Sequence, residues 1–197
     1  MINFRHFLRW RFGLAAPETQ TTTDERDAIS RYAAGKRCLV EIGVWHGVTT
    51  CRMRASMAPE GVIYAVDPYP IGRLRLSFQL RIAHKEVSKI QNGRVEWIRK
   101  TGEIAARDLT PKLDGTVDFV FIDGDHSSEG LKGDWEGWAP LIAPGGLIAL
   151  HDSIATEFRP IHSAGSVRYT QEIISRDTRF QVIEEVDSLT ILQRLPL

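Results

Sequence analysis

The chain has 197 residues, of which 43% are hydrophobic and 25% charged, the composition of an ordinary folded domain. Its 25 basic and 25 acidic residues cancel, so a protein held to nucleic acid mainly through phosphate contacts is not expected. The sequence contains no apolar run of about 18 residues and no signal-peptide pattern, and we therefore expect a cytoplasmic protein without a membrane span.

The first segment, residues 2–14, is aromatic and basic and contains no acidic residue. Arg5 and Arg9 lie beside apolar residues that recur at helical spacing. Such a helix can lie on an anionic membrane surface, dock on its own domain or join two copies in a homodimer, and its shortness favours docking. We therefore divide the chain into an amphipathic segment with its connector, 1–23, and one domain, 24–197. The apolar residues of the segment are Phe4, Phe7, Leu8 and Phe12.

Strand-like and helix-like stretches alternate along the domain. The strands are short and apolar on both faces, which is typical of parallel strands covered by helices. Thr23 or Asp24 is expected to cap the first helix of the domain. The predicted strands are 38–43, 62–67, 94–99, 117–122 and 146–151, and the predicted helices are 24–34, 48–58, 72–91, 103–109, 128–141 and 166–176.

The tail contains two further strand-like runs, 180–186 and 189–193, joined by Asp187 and Ser188. This spacing predicts an antiparallel hairpin. Together with the alternating elements it predicts an α/β fold: a doubly wound, mostly parallel seven-stranded sheet with helices on both faces and a C-terminal antiparallel hairpin.

Ligands of open α/β sheets bind beyond the carboxyl ends of the strands. Asp67 ends the second strand, where an acid is the usual partner of ribose hydroxyls, although it also reads as a turn residue before Pro68. The residues at the predicted strand ends are Glu41, Gly43, Asp67, Thr101, Gly102, Glu103, Asp123, His151 and Asp152.

The loop after the first strand separates two classes of ligand. It reads Gly43-x-x-x-Gly47, whereas a dinucleotide fold needs three glycines for the pyrophosphate. Trp45 and His46 stand where a pyrophosphate would need backbone without large side chains, and Glu41 would repel a diphosphate. The same acid suits a ligand with an amino group, so the loop favours S-adenosylmethionine over NAD.

The pattern Glu41-x-Gly43-x-x-x-Gly47-x-Thr49 resembles the loop of class I S-adenosylmethionine-dependent methyltransferases, a Rossmann-like family, and in particular of its O-methyltransferases. Asp123-Gly-Asp-His, continuing to Pro-Gly-Gly and His-Asp, is similar to macrocin-type sugar O-methyltransferases and cephalosporin-hydroxylase-like proteins. The resemblance covers about residues 38–194.

The resemblance implies a set of cofactor contacts. Trp45 packs on the ligand or on its own loop, and Asp123 faces the cofactor mouth. The other implied contacts are Glu41, Gly43, Gly47 and Thr49 for the methionine end, Asp67 for the ribose, and Thr101, Gly102 and Glu103 for the adenine.

A hydroxyl acceptor needs a base, a metal or both. His126 follows Asp123 by three residues and falls on the base Lys of catechol-type enzymes, although it also reads as an exposed or capping residue. Asp123 and Asp152 are predicted to hold Mg²⁺, although Asp152 also reads as a cap or a substrate contact. The chain departs from the related patterns, because Ser153 replaces an Asn and His151 replaces an acid.

The sequence therefore predicts an O-methyltransferase acting on a hydroxylated small molecule, such as a sugar or a glycosylated metabolite. The alternatives are a non-catalytic protein that binds S-adenosylmethionine and a methyltransferase acting on a macromolecule such as a lipid-linked glycan. Candidate acceptor contacts are Arg73, Arg75, Arg81 and His162, and the residues expected on a solvated face or in packing are Asp134, Glu136 and Trp138.

Overall fold

Strands and helices alternate along the computed structural model, which describes residues 4–71 and 76–196. The helices are α1 (Phe4–Arg11), α2 (Thr23–Ala33), α3 (Val48–Ser56), α4 (Phe78–Val87), α5 (Gly102–Leu113), α6 (Ser128–Trp138) and α7 (Gly165–Glu172), with 3-10 turns at Ala139–Leu141 and Ile174–Arg176. The strands are β1 (Cys38–Ile42), β2 (Val62–Val66), β3 (Arg94–Ile98), β4 (Val117–Ile122), β5 (Ile142–Leu150), β6 (Phe180–Val186) and β7 (Leu189–Arg194). No helix of the described part is long and apolar enough to cross a membrane.

The seven strands form one sheet in the order β3-β2-β1-β4-β5-β7-β6. Strands β1 to β5 pair in parallel, and β7 pairs antiparallel with both β5 and β6. The predicted fold class and terminal hairpin are therefore confirmed. Strand β1 lies between β2 and β4, so the chain reverses its winding direction there, and that reversal is where such sheets bind ligands.

The sheet separates two apolar layers. Alternate residues of β1 point to opposite faces: Val40 packs with the cluster of α5 and α6, and Leu39 packs with that of α2 and α3. On the first face, Trp138 is fully buried, and its indole N–H donates to the carbonyl of Gly102 at 3.0 Å. This bond ties α6 to the beginning of α5, and both helices begin beside the ligand-binding edge.

The structure corrects three local predictions. Thr22, not Thr23 or Asp24, caps α2, because its hydroxyl accepts from the Glu25 N–H while the Glu25 carboxylate accepts from the Thr22 N–H. Strand β5 begins four residues before its predicted start. The helix predicted at 72–91 is described only as α4, and residues 72–75, which include Arg73 and Arg75, lie outside the described residues.

Helix α6 carries a further correction. Asp134 was expected on a solvated face, but it is only 5% exposed. It shares one helical face with buried apolar residues: counted from Leu131, Asp134, Trp135 and Trp138 follow at three, four and seven residues. Glu136 is exposed, as predicted.

Candidate active site

A cavity of about 680 Å³ lies at the carboxyl ends of β1, β2 and β4, within the size range of small-molecule sites. It is built from the loops that follow these strands and from the beginnings of α5 and α6. It is lined by Gln20, Ile42, Gly43, Trp45, Val66, Asp67, Pro68, Thr101, Gly102, Glu103, Asp123, Gly124, Asp125, His126, Glu129, Gly130 and Asp134.

The loop after β1 needs both of its glycines. Gly43 has φ +86°, and a Cβ there would overlap the backbone carbonyl of Asp123 on β4. Gly47 has φ +75°, and a Cβ there would lie 2.8 Å from the Val87 side chain of α4. The backbone therefore crosses directly over the end of β4, which leaves room for a ligand beside it.

Asp67 holds two strained loops in place. Its Oδ2 accepts from the N–H groups of Val44 and Trp45 at 3.1 and 3.0 Å, and its Oδ1 accepts from the N–H of Tyr69 at 2.7 Å. Trp45 and Tyr69 have φ +49° and +46°, a conformation that is costly for aromatic residues. Burial raises the pKa of Asp67 despite these three donors, which shows how enclosed the carboxylate is.

Acidic side chains are the main charged groups in the lining of the cavity. No Lys or Arg is present among its described lining residues, and His126 is the one basic side chain there. Burial, with Asp125 and Glu103 nearby, raises the pKa of Asp134 to about 7. The negative lining favours a cationic ligand and disfavours a pyrophosphate. The acidic residues of the lining are Asp67, Glu103, Asp123, Asp125, Glu129 and Asp134.

Three of the predicted cofactor contacts do not line the cavity: Glu41, Gly47 and Thr49. Glu41 is fully enclosed next to Thr50 of α3, whose hydroxyl donates to its Oε2. Its Oε1 has no hydrogen-bond partner among the described residues. Burial raises the pKa of Glu41 well above its usual range. The carboxyl therefore sits beneath the loop, between β1 and α3.

A buried ionic network lies behind the cavity. The side chain of His151, at the end of β5, is fully buried, with Nδ1 2.7 Å from Asp123 Oδ1 and Nε2 3.4 Å from Glu25 Oε2. Burial opposes its charge, but the two carboxylates outweigh burial and raise the pKa of His151 to about 10. Burial likewise opposes the charge of Glu25, but bonds from His151 and Ser188 lower its pKa to about 2. His151 is therefore an imidazolium at neutral pH.

Asp152 forms an ion pair with Arg159. It has φ +52°, and the guanidinium of Arg159, from the loop after β5, faces both of its carboxylate oxygens. Burial opposes the charge of Asp152, but the bond from Arg159 and the charge of His151 outweigh burial and lower its pKa. The loop after β5 is therefore closed onto the strand end by an arginine fork.

The predicted magnesium ligands do not fit the ion in this arrangement. Asp123 accepts from His151 and Asp152 from Arg159, so a shared ion would have to displace two cationic donors. Ligand atoms of Asp123, His126 and His151 do lie within 4.8 Å of one another. Both ring nitrogens of His151, however, already face carboxylates.

His126 stands at the mouth of this network. Its side chain is 37% exposed and lines the cavity, with Nε2 3.5 Å from Asp123 Oδ1 and Nδ1 3.8 Å from Asp152 Oδ2. Its backbone carbonyl accepts from the N–H of Ser166 at 2.9 Å, which anchors the loop on α7. The structure thus brings together the sequence-predicted residues Asp123, His126 and Asp152.

Sequence reasoning missed several residues of this site. Asp134 had a usable signal, because it falls on the apolar face of α6. Glu25 had the signal of a capping box with Thr22, which indicates a helix start but not a contact with His151. Arg159 had no signal, since its partnership with Asp152 depends on how the loop folds back.

Comparison with known proteins identifies the family of this chain. A family model described as "Methyltransferase domain" matches residues 40–153, more than half of the chain. Tricin synthase 1 of Oryza sativa subsp. japonica is 27% identical over 112 residues, which are 54% of this chain and 42% of that protein. The chain spans less than half the length of the curated relatives that it matches here.

Two solved structures share the fold. A Corynebacterium glutamicum protein has a TM-score of 0.69 at 20% identity, with 96% of this chain and 87% of that chain covered. An O-methyltransferase from Bacillus cereus in complex with SAH has a TM-score of 0.63 at 16% identity, with the same coverage of both chains.

The buried network predicts a defined pH optimum of stability. The lowered pKa of Glu25 contributes stability above its ordinary value of 4.5, which is lost as pH falls towards 2. The raised pKa of His151 contributes stability below its ordinary value of 6.5, which is lost as pH rises through 10. We expect the free energy of unfolding to be greatest between pH 4.5 and 6.5.

Urea unfolding followed by circular dichroism at a series of pH values measures this dependence. Glu25→Gln should flatten the acidic limb and His151→Asn the alkaline limb, and each should lower stability near pH 6. Glu136→Gln, an exposed change, is the control and should leave the profile as in wild type. An alkaline limb that is equally steep in His151→Asn would contradict the assignment.

Proposed function

The chain belongs to the methyltransferase-domain family, and from this premise we propose that it is an O-methyltransferase that methylates a hydroxyl of a small molecule, such as a sugar or a glycosylated metabolite. The enzyme is an S-adenosylmethionine-dependent methyltransferase by its family and fold. The observation that carries the proposal is the acid-lined cavity without Lys or Arg among its described lining residues, with His126 at its mouth.

The cavity fits the cationic methyl donor. A sulfonium and an ammonium are favoured by the negative lining, whereas the two phosphates of NAD would be repelled. Of the roughly four acceptor sites of the Asp67 carboxylate, three are used by backbone N–H groups, which leaves one on Oδ1 for a ribose hydroxyl. Gly43 and Trp45 would contact the methionine end.

The adenine would lie against residues 101–103, at the beginning of α5. The Asp134 carboxylate lies directly against Gly102, in the space that a side chain at position 102 would need. This close contact supports the proposed position of the adenine, because it places a polar group beside residues 101–103. Glu41, Gly47 and Thr49 would serve the methionine end indirectly, by shaping the loop and the start of α3.

His126 is the proposed base. When bound, S-adenosylmethionine supplies a methyl group on a sulfonium whose departure leaves a neutral thioether. Methyl transfer to an acceptor oxygen also requires that the hydroxyl lose its proton, and His126 would accept that proton. The resulting imidazolium lies between Asp123 and Asp152, at 3.5 and 3.8 Å, and both carboxylates stabilise it. The buried His151 and the partly exposed Arg159 hold those carboxylates in position.

Cofactor binding is the first test. Titration calorimetry should detect binding of S-adenosylmethionine and none of NAD. Asp67→Asn should weaken binding by about tenfold or more, because the amide loses charge-assisted bonds to both loops. Asp114→Asn, an exposed change elsewhere, is the control and should bind as wild type. Binding of NAD without S-adenosylmethionine would overturn the assignment.

The base is tested by turnover over a panel of hydroxylated acceptors. His126→Ala should lower kcat by about 10²–10⁴-fold while the Kd for S-adenosylmethionine stays within about twofold of wild type, because general-base catalysis acts on the chemical step. His84→Ala, a change in an exposed histidine whose ring lies tilted against Trp97, is the matched control. Equal turnover in His126→Ala would remove the base assignment, and cofactor binding without turnover on any acceptor would favour the non-catalytic alternative.

Metal dependence is tested by chelation. Because Asp123 and Asp152 already face cationic donors, we expect full activity in EDTA and no Mg²⁺ binding by calorimetry. A loss of activity that Mg²⁺ restores would instead place the ion on these two carboxylates, as the sequence predicts. Asp177→Asn, a change in another arginine-paired carboxylate, should leave either response unaltered.

A further inference from the structure

Helix α1 is docked on the domain by one of its faces. The ring of Phe7 packs on Phe78 of α4 with centroids 4.7 Å apart, and Trp10 Nε1 donates to a carboxylate oxygen of α4 at 2.7 Å. His6 stacks on His46 of the loop after β1, with ring centroids 5.2 Å apart. The helix therefore rests on α4 and on the cofactor loop.

Exposed apolar residues lie along another side of α1 and in the turn that follows it. Phe4, Leu8 and Phe12 recur at intervals of four residues, and Leu14 lies two residues further on. Phe4 is half exposed and its ring also meets Phe78, with centroids 5.4 Å apart, so it lies at the edge of the docked face. Phe12 and Leu14 are 72% and 69% exposed, far more than the docked residues. A row of exposed apolar side chains of this kind marks an interaction surface.

Cationic side chains line a groove that reaches this row at Gly13, between Phe12 and Leu14. This groove of about 710 Å³ between α1 and α4 is lined by Arg11, Arg81, Lys85 and Lys89, over the rings of Phe7 and Trp10. Arg81 and Lys85 of α4, and Lys89 just beyond its end, are exposed and spaced four residues apart. Glu86, the one acid of the described lining, is engaged by Trp10 and Lys89. The surface is thus strongly positive although the chain as a whole carries no net charge.

We propose that this surface, formed by α1, residues 12–14 and the exposed side of α4, binds anionic phospholipid membranes. Phe12 and Leu14 would enter the headgroup–acyl boundary, and the cations of the groove would face the lipid phosphates. Charge complementarity selects this partner over a second copy of the chain, because two copies meeting by this face would bring their arginines and lysines together.

Membrane binding would bring the active site to the lipid surface. The docked segment continues to Glu18, whose backbone N–H donates to His46 Nδ1 at 2.9 Å, and to Gln20, which lines the cavity. The membrane-facing helix and the cofactor loop are therefore in direct contact. The proposal does not depend on the identity of the base or of the acceptor.

Co-sedimentation of the full chain with vesicles tests the proposal. We expect binding to phosphatidylcholine vesicles that contain phosphatidylserine, no binding to pure phosphatidylcholine vesicles, and weaker binding as salt is raised. Each cation near the surface contributes about fivefold, so Arg81→Ala with Lys85→Ala should weaken binding about 25-fold. Arg168→Ala with Arg176→Ala, two exposed cations elsewhere, is the matched control.

Phe12→Ser with Leu14→Ser should abolish sedimentation with anionic vesicles, whereas Ile173→Ser, which removes another exposed apolar residue, should not. Thermal melting checks that each variant is folded. The salt dependence of binding is measured on the wild type, so it tests the proposal even if a variant fails to fold. The proposal fails if the wild type does not bind anionic vesicles, or if its binding is insensitive to salt or to the α1 and α4 changes. It also fails if light scattering shows a dimer that Phe12→Ser dissociates, since the surface would then join two copies.

Discussion

A buried imidazolium holds this site together. His151 lies between Asp123 at the end of β4 and Glu25 in the first turn of α2, and Ser188 in the terminal hairpin donates to the same Glu25 carboxylate. Enclosing one cation between two carboxylates is stable only if all three groups stay in place, because a lone buried charge is costly. The network therefore fixes the position of Asp123, and with it the wall of the cavity that faces His126.

A second constraint acts on the opposite wall. The Asp67 carboxylate accepts three backbone N–H groups and so holds the loops after β1 and β2 in left-handed conformations at Trp45 and Tyr69. Gly43 lets the first of these loops cross the end of β4. Backbone strain of this kind persists only where the surrounding contacts hold the backbone in place. Here it shapes a pocket at the point where the winding direction of the sheet reverses. The chain's own hydrogen bonds therefore shape the pocket.

The N-terminal segment docks on its own domain, which was one of the alternatives that its sequence offered, and we propose that its other side binds a membrane. Docking uses His6, Phe7 and Trp10, whereas Phe12 and Leu14 remain exposed near the cations of the groove. One short helix can serve both purposes because its faces are independent at 3.6 residues per turn. Contact with His46 makes the same helix a neighbour of the cofactor loop.

The sequence alone determined the order of strands and helices, the terminal hairpin and the residues at the strand ends, because these follow from local periodicity and from glycine and acid spacing. It placed Asp67, Asp123 and His126 at one edge of the sheet, where parallel strands must end together. Only the tertiary structure decided that Glu41 lies beneath the loop rather than in the pocket, and that Glu25 and Arg159 form ion pairs with His151 and Asp152. Those pairings join residues that are distant in the chain or brought together by a folded loop, and no local pattern encodes which buried charges meet.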